Sequence, residues 1–171
     1  MAVETHWDIP WGERSVEEAR LFNPAFCGEL VGRTVGEFHS SGQEALNLVL
    51  AFLVLPLTLH EPTRETLPKR ADTAFAGWVA NHAPLLAELP SRVMHLRPIT
   101  REALLFAISH RVIALNTAGF VPGAKPIRNR SIPSVSSNEV NEIRRAARFL
   151  GRWFATHRTQ TLILQGMGIA P

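Results

Sequence analysis

A mainly α, compact, multi-helix single domain is the fold this sequence predicts, and three observations predict it. Apolar residues recur at helical spacing over several long segments. Those segments start at helix-capping residues, among them Asn23-Pro24, Thr100 and Ser137. The chain has 171 residues, of which 46% are apolar, enough for one core; domains commonly run about 100–200 residues. The expected division is an extended N-terminal arm over 1–14 and a single helical domain over 15–171.

The arm holds Trp7, Pro10, Trp11 and Gly12 and shows no helical period. Two tryptophans on a segment with no core face of its own point to docking, so Trp7 and Trp11 are candidate protein-interface residues. Ser15, with Glu18 three residues on, opens a short helix that ends near Phe22. Asn23 and Pro24 start the next, to about His39, with Phe26, Leu30 and Phe38 inward and Gly28, Gly32 and Gly36 along one face. A glycine row of this kind lets a second helix approach closely. Ser40-Ser41-Gly42 stops it.

Gln43 to Val54 is apolar nearly all round, as for a buried central helix, and Pro56 ends or kinks it. Leu57 to Pro62 reads as an extended connection and Pro62 to Pro68 as a turn. Asp72 or Thr73 caps a helix with Phe75, Trp78 and Val79. Another spans Pro84 to about Leu96, bent or broken at Pro90. Thr100 caps a helix to about Asn116 with Leu104, Leu105, Ile108, Val112 and Leu115 on its buried side. The segment 119–136, with three prolines and two glycines, reads as a loop, a short β-hairpin or a wing, which gives the fold a winged-helix-like option. Asn138 to about Thr156 is the last long helix, with Trp153 and Phe154 on its core side, and a short helix over 159–165 follows.

A single cysteine, Cys27, excludes an internal disulfide and a multi-cysteine metal site, which fits a reducing, cytoplasmic setting. The N-terminus carries Glu4 and Asp8 where a secretory signal would be basic. The longest apolar run, Ala51 to Leu59, falls short of the about 20 residues a membrane span needs. The net charge of +3 is unevenly spread: residues 1–44 sum to −5 and residues 123–171 to +6. Such a split marks a polyanion-facing end, an end that meets a charged partner, or two ends of one fold that attract each other.

No motif assembles an active site. The seven histidines show no ligand spacing, and Gly119 to Lys125 lacks the phosphate-loop pattern because Pro126 stands at the hydroxyl position. Cys27, in a helix near Glu29, reads as a buried thiol with a raised pKa. Catalytic, metal and cofactor residues are therefore expected to be none, and the chain is expected not to be an enzyme. A small hydrolase would require a pocket of polar residues assembled only by the fold.

What stands out is arginine. Arg144, Arg145, Arg148 and Arg152 fall within about 100° of one face of the last long helix, preceded by Lys125, Arg128 and Arg130. Three readings are open: a solvated face, contact with an acidic protein surface, or contact with a phosphate backbone.

Several short pieces together resemble one family. They are Asn23-Pro-Ala-Phe26, Leu55-Pro-Leu-Thr-Leu-His60, Pro62-Thr-Arg64 with Leu67-Pro68, Trp78, Thr100-Arg-Glu-Ala-Leu-Leu-Phe106, and Gly151-Arg-Trp-Phe-Ala155 with Gly168-Ile-Ala-Pro171. In this order, over about residues 22–171, the chain resembles the middle component of three-component ABC systems, the small-subunit family that includes the third subunit of Lamassu-type bacterial defence systems. The resemblance implies a non-catalytic accessory subunit that links an SMC- or Rad50-like ATPase to an effector, commonly a nuclease, in an anti-phage or anti-plasmid complex that senses DNA. The expected partners are that ATPase and effector, from the same operon, with direct or indirect DNA contact and no membrane. The alternative is a stand-alone winged-helix-type DNA-binding regulator.

Overall fold

Asn23 opens the helix around which the others assemble. In the computed structural model, which describes residues 13–42, 45–128, 136–157 and 165–166, its Oδ1 accepts the backbone N–H of Ala25 at 2.8 Å and of Phe26 at 3.4 Å. Pro24 follows at a position where a missing N–H costs nothing. The resulting helix α2 spans Pro24–Ser40, as its sequence predicts, and the short helix α1 before it spans Val16–Leu21. The arm with Trp7 and Trp11 lies outside the described residues, except for its end. There Arg14 is held tightly: its guanidinium grips Glu102 with two hydrogen bonds of 2.9 and 2.6 Å, and 3% of its side chain is exposed.

The next helix, α3 (Leu48–Thr58), starts later than the apolar run suggests. Leu46 is drawn instead into a β-bridge with Phe120, through N–H···O bonds of 2.9 and 2.8 Å, and Asn47 then caps the helix through Val49 N–H. Pro56 lies inside α3, which continues to Thr58 because Thr58 Oγ1 and Leu59 N–H bond back to Val54 and Leu55 carbonyls. Residues 57–66 thus differ from the expected extended connection and turn. They finish α3 and form α4 (Glu61–Thr66), with His60 as its cap.

α5 (Phe75–Asn81) and α6 (Ala83–Leu86) follow. Neither Asp72 nor Thr73 caps α5; Ala74 is at the cap position, and Asp72 pairs with Arg70 on the surface. Two predicted helices are then one, α7 (Leu89–Ser109). Pro90 sits in its first turn, where proline fits, and Pro98 lies inside it. Proline has no N–H to donate to the Met94 carbonyl one turn back, and Met94 lies on the exposed side of the helix.

α7 ends at a Schellman turn rather than at Asn116. Val112 N–H bonds the Ala107 carbonyl and Arg111 N–H the Ile108 carbonyl, both at 2.9 Å, with Arg111 at φ 60°. A left-handed non-glycine residue costs roughly 1–2 kcal/mol, offset here by capping two carbonyls. The chain then forms β1 (Ile113–Leu115) and β2 (Phe120–Pro122), antiparallel, with Ile113 opposite Pro122. The hairpin foreseen for 119–136 therefore lies upstream, and its first strand takes residues predicted as helix. Gly119 is required at its turn, because a Cβ there would sit 2.2 Å from the Leu46 carbonyl oxygen.

Ser137 caps the last long helix, α8 (Asn138–Thr156), through Val140 N–H. Most of the short helix expected over 159–165 lies outside the described residues. Among the described residues the fold is thus eight helices with one two-stranded sheet. α2 is flanked by α7 and α8, its two most extensive neighbours. Gly28 and Gly32 make room on one side: a Cβ on Gly28 would lie 3.1 Å from the Ala103 carbonyl oxygen, and one on Gly32 2.6 Å from Val112 Cγ1.

Trp153 and Phe154 point inward, as their helical register predicts, and both are almost fully buried. Trp153 packs against the Phe75 ring at 4.9 Å and edge-on to Trp78 at 5.2 Å between ring centres. Its indole N–H donates to the Thr73 carbonyl at 2.9 Å. These aromatic contacts fasten α5 to the end of α8.

Candidate functional site

The arginine face of α8 divides into an inner and an outer part. Arg144 is buried against α2, where its Nε donates to Glu29 Oε1 at 2.7 Å and its Nη2 to Glu29 Oε2 at 3.0 Å. Its Nη1 reaches Ser136 Oγ at 2.8 Å, and its guanidinium lies 5.8 Å from the Phe26 ring centre. Arg33, from α2 itself, donates to the same Glu29 Oε1 at 2.8 Å. Two buried arginines therefore share one carboxylate. Burial pushes the Glu29 carboxyl up, but hydrogen bonds and charge from Arg144 and Arg33 override it and hold the group below the ordinary carboxylate range.

One turn along, Glu37 holds Arg148 through Nε at 2.8 Å and Arg152 through Nη1 at 3.3 Å. The acidic N-terminal part and the basic C-terminal part of the chain thus meet as α2 and α8. Three of the four α8 arginines satisfy the reading that two ends of one fold attract each other. Arg145 is exposed and has no ion-pair partner among the described residues.

Arg145 opens onto a groove of about 700 Å³ between α8 and residues 64–69. Arg64, Lys69, Arg148 and Arg152 join it around the rim, with Glu65 and Glu142. Leu67, Pro68, Ala146 and Phe149 supply the apolar lining. Arg64 is positioned by the α3–α4 corner: its Nη1 donates to the Thr58 carbonyl at 2.9 Å and its Nη2 approaches Glu139 at 3.9 Å. At the same corner Thr63 Oγ1 meets His60 Nδ1 at 2.7 Å and accepts from Arg92 Nη1 at 2.9 Å. Burial, then the Arg92 charge, push the His60 pKa down, while Glu88 opposes them. The Leu-Thr-Leu-His and Pro-Thr-Arg pieces of the sequence are therefore the geometry of this corner.

The other predicted site residues lie elsewhere. Lys125 and Arg128 are exposed on the segment after β2, which crosses α2 where Ile127 meets Gly32, and they do not line the groove. Arg130 lies outside the described residues, as do Trp7 and Trp11. Sequence reasoning missed Glu29, Glu37, Arg64 and Lys69. The one signal for the two glutamates was the opposed charge of the chain's ends.

Cys27 is fully buried. Burial, and after it the Glu102 carboxylate rather than Glu29, push its thiol up to about 12. Native protein at pH 8 is therefore expected to react with a thiol reagent only as it unfolds. Rapid stoichiometric labelling without denaturant would contradict this. No group of three or more His, Cys, Asp or Glu side chains gathers at metal-binding distance among the described residues. No helix among them is long and apolar enough to cross a membrane.

A family model described as ABC-three component (ABC-3C) system Middle Component 3 matches residues 11–171. No curated protein and no solved structure matches the chain.

Proposed function

Because the chain belongs to the middle component 3 family of ABC-three component systems, we propose that it is the non-catalytic accessory subunit that links an SMC- or Rad50-like ABC ATPase to an effector, a nuclease in the commonest arrangement. Its setting is a cytoplasmic complex that defends a bacterium against phage or plasmids, of which the Lamassu type is one. In that role the subunit docks on the ATPase and holds the effector until DNA engagement changes the complex.

The family match over nearly the whole chain carries the reading. The geometry supports it through one further observation. The charged groups of α2 and α8 are arranged to hold the fold together, while a basic-rimmed, apolar-lined groove is left open on the surface. A stand-alone DNA-binding regulator is less well served, since its reading helix would need a free basic face, and Arg144, Arg148 and Arg152 are engaged by Glu29 and Glu37.

Co-expression with the ATPase and effector genes encoded beside it tests the proposal. The tagged chain is expected to retain the ATPase through affinity and size-exclusion steps. Recovery as a monomer free of the ATPase, with salt-dependent binding to a short DNA duplex instead, would favour the regulator.

A further inference from the structure

We infer that the groove between α8 and residues 64–69 is a docking site for an acidic segment of a partner subunit, anchored by an apolar side chain. The inference rests on the reading of this chain as a partner-binding subunit and names the surface and the chemistry by which it binds.

Charge complementarity is the first support. Arg64, Lys69, Arg145, Arg148 and Arg152 line the groove with Glu65 and Glu142. Glu37 already pairs with Arg148 and Arg152 and Glu139 approaches Arg64, so among the described residues the groove's unpaired positive charge sits on Lys69 and Arg145. Lys69 and Arg145 are exposed and have no ion-pair partner among the described residues. Arg148 is fixed by its Nε on Glu37 at 2.8 Å, and its two Nη groups have no hydrogen-bond partner among those residues. A guanidinium held in this way presents its remaining fork with little entropy left to lose, which favours bidentate pairing with a carboxylate. Glu37, itself mostly buried, braces both Arg148 and Arg152 toward the groove.

The lining is the second support, and it separates a peptide from a nucleic acid. Leu67, Pro68, Ala146 and Phe149 offer an apolar floor suited to an aliphatic or aromatic anchor. Phe149, which is 9% exposed, is the one aromatic ring among the described residues of the lining, so those residues offer no stacking platform for successive bases. A duplex would bring a phosphate charge about every 1.7 Å of axis past Glu65 and Glu142. A peptide can place its carboxylates away from both.

Lys69→Glu combined with Arg145→Glu, introduced into the co-expressed three-subunit complex, tests the inference. Neither side chain holds the fold, so the urea midpoint of the isolated variant should equal that of the parent. The expected result is loss of one partner subunit, with its Kd raised by roughly tenfold or more. A photo-crosslinking phenylalanine at position 69 should in parallel capture an Asp/Glu-rich segment of that subunit. A variant complex that stays intact overturns the inference, and so does loss of duplex DNA binding with the subunits still assembled. A crosslink to residues 1–12 of the same chain, which carry Glu4 and Asp8 beside Trp7 and Trp11, overturns it as well. Failure of the unsubstituted chain to assemble with either subunit overturns the proposed function and this inference together.

Discussion

Gly151→Val is expected to lower the unfolding free energy by about 3 kcal/mol, at the upper end for overpacked cores. A Cβ at position 151 would stand 2.4 Å from the Thr34 carbonyl oxygen, 2.8 Å from Glu37 Cβ and 3.0 Å from the Phe38 amide nitrogen. Two of these three are backbone atoms, so no rotamer change relieves the clash and α8 must move away from α2. That movement also stretches the Thr34 Oγ1 hydrogen bond to the Ala147 carbonyl, now 2.9 Å, and the arginine pairs on either side. Gly77 provides the opposite sign. It lies inside α5 with nothing within 4 Å of its Cβ position, so Gly77→Ala should gain about 0.5–1 kcal/mol from helix propensity. Urea denaturation of both variants checks the pair. An unchanged midpoint for Gly151→Val would show that α2 and α8 are not in contact at that point.

Glu29→Gln is expected to cost about 3 kcal/mol, since removing one partner of a buried charged cluster leaves the others uncompensated. Arg33 and Arg144 both donate to this carboxylate, and their side chains are 2% and 10% exposed. The lower end of the range applies because Glu29 keeps some exposure. Its folded-state pKa is held below the ordinary value, so its stabilising contribution is fully present above the unfolded carboxylate pKa and is lost as pH falls through the folded value. Parent and variant should therefore differ most near neutrality and converge in acid. A constant difference across that range would contradict the assignment. With total stabilities of about 5–15 kcal/mol, either substitution removes a large fraction.

Features governed by local chemistry were legible in the sequence. Asn23-Pro24 and Ser137 are capping signals whose bonds are made within three residues, and α2 and α8 start where those signals stand. The periodicity of α8 likewise sets Trp153 and Phe154 inside, whereas Arg144, expected on the opposite side, is buried against α2 because Glu29 holds it there. Features that depend on distant backbone were not legible. The start of α3 is displaced because Leu46 pairs with Phe120, seventy-four positions later by the numbering of the two residues. The end of α7 is a Schellman turn at Arg111, where a glycine would have been the signal. Val112 and Leu115 fit a helical period, yet the chain leaves the helix before them to form β1. Thr100, read as a cap, lies inside α7, which runs through Pro98, and its hydroxyl donates back to the Leu96 carbonyl.

The candidate site followed the same division. The arginine stripe was visible, but what it faces was not, because Glu29 and Glu37 lie more than a hundred positions away from Arg144 and Arg148. The opposed charges of the chain's ends raised that pairing as one option. They did not foretell the groove, whose other wall comes from a segment read as a turn. Folding that segment into α4 brings Arg64, Leu67 and Lys69 beside α8.

The proposed linking role is tested most directly by a three-way reconstitution. The ATPase is immobilised and the effector is passed over it with and without this chain. The effector is expected to be retained only when the chain is present. Equal retention of the effector in its absence would contradict the linking role.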